Sequence, residues 1–111
     1  MAMDPSGFTI TASEREGRML VVIRGELDLA TAPELERVIG ERLDAGDDVV
    51  VDLRELAFMD SSGLRVLVAA HTRVGGGEQQ FLIVRPPAGG PIERILSIAG
   101  LERELNLIDD A

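Results

Sequence analysis

Short apolar runs alternate along this chain with longer stretches whose apolar residues recur at helical spacing. Phe8-Thr9-Ile10-Thr11-Ala12 alternates as an edge strand does, and after a turn at Glu16-Gly17 the run Met19-Leu20-Val21-Val22-Ile23 reads as a more buried strand. The two predict a hairpin. Gly25-Glu26-Leu27-Asp28-Leu29 then leads to Thr31-Ala32-Pro33-Glu34, where Thr31 as N-cap and Glu34 three residues on predict a capping box, with Pro33 in the first turn. A helix is expected from Ala32 to Ala45, with Leu35, Val38, Ile39 and Leu43 inward and Gly46 ending it.

Val49-Val50-Val51-Asp52-Leu53 is the next strand, residues 54–60 form a connection, and a second helix is expected from Ser61 to Val74. On a helical wheel Ser62, Arg65, Ala69, Thr72 and Arg73 share one arc; Leu64, Leu67, Val68, Ala70 and Val74 share the other, with His71 provisionally among them. Ser61 borders the outward arc. Gly75-Gly76-Gly77 breaks that helix, Gln80 to Arg85 is a further strand, and residues 86–90 form a loop. Pro91 opens a third helix to Ala99, turning Ile92, Ile95, Leu96 and Ala99 inward, and Gly100 stops it. In the last segment Leu105-Asn106-Leu107-Ile108 fits a short strand, while the spacing Leu101, Leu105, Ile108 also fits a helix. Strands alternating with helices of these lengths predict an α/β fold: a mixed, mostly parallel sheet with an antiparallel N-terminal hairpin, flanked by helices.

With 111 residues, 45% hydrophobic, the chain suits one domain with one core. Residues 1–7 read as a flexible leader and 8–109 as the domain. The three Phe and the lack of Trp and Tyr leave no aromatic platform for bases, and a net charge of −9 disfavours nucleic acid and anionic membranes. Proteins are therefore the expected partners, with small cations the other class that the charge favours. All 11 cationic residues are Arg, which excludes lysine Schiff-base chemistry and a phosphate-loop lysine. Zero cysteines exclude disulfides, thiol catalysis and thiolate-bound metal. Without a signal-like N-terminus or an apolar run near the about 18 residues that span a bilayer, a cytoplasmic protein is expected.

The most informative chemistry is Met59-Asp60-Ser61-Ser62-Gly63-Leu64, two hydroxyls where a strand gives way to a helix. One of Asp60, Ser61 and Ser62 suffices as N-cap, for about 0.5–2 kcal/mol. Capping does not explain a second hydroxyl followed by Gly63, which costs about 1 kcal/mol relative to Ala in a helix; this pattern points to something approaching the backbone there. Catalysis is poorly supported. His71 lies ten residues after Ser61, roughly 15 Å along a helix at about 1.5 Å per residue, too far for a nucleophile–base pair, and there is no Gly-x-Ser-x-Gly elbow. Asp28, Asp52 and Asp60 match no metal-loop spacing, and the glycine runs match no phosphate loop, so no metal and no cofactor are expected.

Gly25-Glu26-Leu27-Asp28, Val51-Asp52-Leu53 through Phe58-Met59-Asp60-Ser61-Ser62-Gly63-Leu64, and Ala99-Gly100-Leu101 together resemble the STAS-domain anti-sigma factor antagonists of bacteria, over nearly the whole chain from Phe8 to Ile108. The resemblance implies a mixed sheet flanked by helices. It also implies that Ser61, with Ser62 as the lesser choice, is a regulatory phosphorylation site: the free antagonist binds an anti-sigma factor that is a serine kinase, phosphorylation ends that binding, and a serine phosphatase resets it. Asp28, Asp60, Ser61, Ser62, Gly63 and Arg65 are then the expected partner-binding residues. Two departures bear on partner choice. Arg65 stands where some members are small, placed to pair with a phosphate or an acidic patch, and the loop from Pro86 to Pro91 is rich in proline and glycine. The alternative within the same fold is a structural or ligand-binding module of a larger stress, lipid-transport or anion-transport assembly.

Overall fold

The computed structural model describes residues 7–111; the expected leader lies, Gly7 excepted, outside the described residues. The elements are β1 (Thr9–Arg15), β2 (Arg18–Leu27), α1 (Ala32–Asp44), β3 (Val49–Asp52), β4 (Leu56–Met59), α2 (Ser61–Val74), β5 (Phe81–Val84), α3 (Pro91–Ile98) and β6 (Leu107–Ile108). The sheet runs β1-β2-β3-β5-β6, with β4 attached to β2 beyond the end of β3. Among the described residues, only β1 and β2 pair antiparallel. They turn over Glu16 and Gly17, both at positive φ, which suits the right-handed twist of a two-residue hairpin.

Side-chain alternation sorts the sheet into two faces. Val21, Ile23, Val49, Val51, Phe81 and Ile83 form the main core with Leu35, Ile39 and Leu43 of α1, Val66, Leu67 and Ala70 of α2, and Ile92 and Leu96 of α3. Burying each large aliphatic side chain contributes about 1.5–3 kcal/mol, so these stripes hold all three helices. The other face carries a smaller cluster of Leu20, Val50 and Val84, with no helix residue in it.

Several expectations are corrected. Residues 54–60 are not a plain connection: Leu56–Met59 form β4, which pairs parallel to β2 through Gly25–Leu56, Glu26–Phe58 and Leu27–Met59. The burial pattern of β4, with only its end residues Leu56 and Met59 inside, hides the alternation that marks a strand. Gly25, where the register shifts, has φ +91°, and an added Cβ would lie 2.8 Å from the Gly7 carbonyl oxygen, so this crossing requires glycine. The capping box at α1 does not form. Thr31 holds the N-cap position without a side-chain cap bond, and Glu34 instead pairs with Arg37. Ala99 is exposed, because α3 ends at Ile98. Of the two readings of the last segment, the strand forms at Leu107–Ile108 beside β5, and residues 101–105 make a turn that buries Leu105.

Candidate functional site

β2 and β4 end side by side, and that juxtaposition builds the site. The Asp60 N–H donates to the Leu27 carbonyl (3.1 Å), which ties the start of α2 to the end of β2. Asp60, at extended dihedrals, is the N-cap: its Oδ1 accepts from the Ser62 N–H at 2.8 Å. Neither serine is needed for that task. Ser61 is exposed and its hydroxyl makes no hydrogen bond among the described residues; Ser62 is half-buried.

Asp28 acts on the neighbouring loop. Its Oδ1 accepts from the N–H groups of Ala30 (3.0 Å) and Thr31 (3.2 Å), an Asx-type turn that leaves the carboxylate half-buried. Thr31, which sequence reasoning assigned to a cap, is the locking residue. Only 5% exposed, its hydroxyl donates to the Glu26 carbonyl (2.8 Å) and accepts from the Asp28 N–H (2.9 Å). The signal available in the sequence was Asp28-x-x-Thr31, a side-chain-to-backbone spacing rather than a helix start.

Gly63 requires a correction. It was expected to let a partner approach the backbone, yet it is buried within the chain, and an added Cβ would lie 2.6 Å from Leu27 Cδ2 and 2.8 Å from Met59 Cγ. Its lack of a side chain lets α2 close onto the ends of β2 and β4. The outward surface is therefore Ser61, Ser62 and Arg65, next to exposed Leu29 (77%). Leu29, Pro33, Glu36, Ser62, Arg65 and Val66 line a concavity of about 180 Å³.

The three acids of the sequence reading do not gather. Asp52, 3% exposed, is at the end of β3, where Arg54 Nη2 donates to Oδ2 at 2.8 Å and the Arg54 N–H to Oδ1 at 2.9 Å. Burial works against its ionisation, but the hydrogen bonds and charge of Arg54, with the charge of Arg24, outweigh it and hold the carboxyl below its ordinary value. Among the described residues no group of three His, Cys, Asp or Glu is placed to hold a metal ion. His71 is half-buried in α2, and its Nδ1 has no hydrogen-bond partner. No helix among the described residues is long and apolar enough to cross a membrane.

Comparison with known proteins follows the same lines. A family model for the STAS domain matches residues 9–111. The chain is 32% identical over 104 residues to the anti-sigma-F factor antagonist RsfB of Mycobacterium tuberculosis, covering 93% of this chain and 83% of that one. It is 34% identical over 83 residues to an anti-sigma-B factor antagonist of Staphylococcus aureus, covering 74% and 75%. The crystal structure of an anti-sigma factor antagonist from Mycobacterium paratuberculosis superposes with a TM-score of 0.85 at 29% identity, covering 98% of this chain and 92% of that one.

Proposed function

The chain belongs to the STAS domain family, and on that footing we propose that it is an anti-sigma factor antagonist regulated at Ser61. Like the relatives it matches, it is a regulatory binding protein and not an enzyme. In this reading the unphosphorylated protein binds an anti-sigma factor that is also a serine kinase, which frees the sigma factor. Transfer of a phosphoryl group to Ser61 ends the binding, and a serine phosphatase restores it.

The observation that carries the reading is the free Ser61 hydroxyl. Asp60 already caps α2, so Ser61 stands exposed at the helix start with no structural duty. A kinase can reach it, and a phosphate there is tolerated by the fold because the N-terminal end of a helix accepts negative charge. The same phosphate adds about −1.5 to −2 charges beside Asp60, on a surface that must be desolvated when a partner docks. Taking binding from mostly on to mostly off needs about 5.5 kcal/mol of differential affinity. Repulsion and the desolvation of a dianion supply energy of that order without refolding the domain.

The test is incubation of the purified chain with an anti-sigma factor kinase of the same cell and ATP, followed by mass mapping and calorimetry. One phosphate at Ser61 is expected, with Ser61→Ala binding as the unmodified protein does and Ser61→Asp binding weakly. Phosphate confined to Ser62, or equal affinities for the two variants, overturns the reading.

A further inference from the structure

Arg65 stands four residues after Ser61 on α2, and that spacing brings the two Cβ atoms to about 5–6 Å on one helix face. It is exposed. Arg24, Arg37, Arg42, Arg54, Arg73 and Arg85 each hold an acid of the chain itself; Arg65, like Arg15, Arg18, Arg94 and Arg103, has no such partner among the described residues, and of these five it is the one that lines the concavity beside Ser62. Glu36, on the same concave wall, is not paired with it. An unpaired guanidinium at the rim of a concavity with an exposed leucine fits a partner that brings an apolar side chain over Leu29 and a carboxylate to Arg65. On a chain of net charge −9, an exposed cation not engaged by an acid of the chain is a feature able to select an acidic contact.

We propose that Arg65 is the residue through which phosphorylation of Ser61 is read. It holds a carboxylate of the anti-sigma partner while Ser61 is free, and it turns onto the phosphate once Ser61 is modified. The inference rests on the antagonist reading above. The planar guanidinium suits both states, since it binds carboxylate and phosphate alike through two parallel N–H bonds. Capture by the phosphate is intramolecular, along one turn of a formed helix, so it needs little ordering. Phosphorylation thereby places a dianion in the interface and withdraws the cation that the partner uses.

The experiment uses the full chain, as wild type and Arg65→Gln, each prepared with serine and with phosphoserine at position 61. The second ionisation of the phosphate, near pH 6 when unperturbed, is followed by phosphorus NMR at low and high salt. Its midpoint is expected a few tenths of a unit lower in wild type than in Arg65→Gln, with the gap closing in high salt. For the unmodified forms, affinity for the anti-sigma factor kinase that phosphorylates Ser61 in the test above is expected to fall roughly tenfold in Arg65→Gln and to recover in part in Arg65→Lys. Equal midpoints, or equal affinities, overturn the inference. A Ser61→Asp control separates the two ideas: if it loses binding while Arg65→Gln keeps it, only the role of Arg65 falls; if it binds as wild type does, the antagonist reading falls first.

Discussion

α1 and α2 begin side by side, each after a strand of the same parallel pair, and each begins beside a hydroxyl residue and an aspartate. Their use of those groups is opposite. At α1, Thr31 is buried and its hydroxyl joins the Glu26 carbonyl to the Asp28 N–H, while Asp28 organises the turn. At α2, Asp60 caps the helix and leaves the Ser61 hydroxyl in solvent. One hydroxyl is fixed by structure and the other is left available. The difference teaches that a hydroxyl open to a partner is marked by freedom from local duties, and residue type at a helix start does not reveal it.

The sharpest way to break the comparison is Thr31→Val, which keeps shape and removes the hydroxyl. The Glu26 carbonyl and Asp28 N–H lose their partner, and denaturant unfolding is expected to show a loss of about 2–3 kcal/mol; a loss as small as that of an ordinary surface change would mean that Thr31 does not lock the loop. Asp52→Asn comes next, at the end of the adjacent strand. Because the folded carboxyl ionises below its ordinary value, its contribution is fully present above about pH 4 and is lost as the pH falls through the depressed folded value. Asp52→Asn is therefore expected to cost about 1.5–3 kcal/mol at neutral pH, with the gap to wild type closing in acid. A gap that stays constant throughout an acid titration of the unfolding midpoint would show that charge is not what Arg54 holds.

Smaller effects separate the groups at α2. Asp60→Ala removes the cap and is expected to lower stability by about 1 kcal/mol, and amide exchange in the first turn of α2 should quicken with it. Ser61→Ala is expected within about 0.5 kcal/mol of wild type, while abolishing phosphate incorporation. If Ser61→Ala destabilised as much as Thr31→Val, the contrast between the two helix starts would disappear.

Much of this was legible from periodicity. The apolar stripes of α1 and α2 follow 3.6-residue spacing, and the Val49–Val51 run is a strand buried on both faces, so local sequence suffices to define them. β4 was not legible, because Ala57 and Phe58 are both outward and the pairing that makes it a strand is with Gly25 to Leu27, some thirty residues earlier. Gly63 stands out in the sequence, but its role there does not. Its need for no side chain comes from Leu27 and Met59, residues on two different strands.

Local sequence is enough for the three helices and the strands other than β4 and β6, the acidic surface free of lysine and cysteine, and the Asp-Ser-Ser-Gly block at a helix start, since each depends on neighbours within a few residues. The closed fold sets which acid caps, which hydroxyl is buried and which arginines are left unpaired. Those outcomes depend on where β2 and β4 end relative to each other, and a hydrogen bond or a clash between distant residues exists only once the chain has closed on itself.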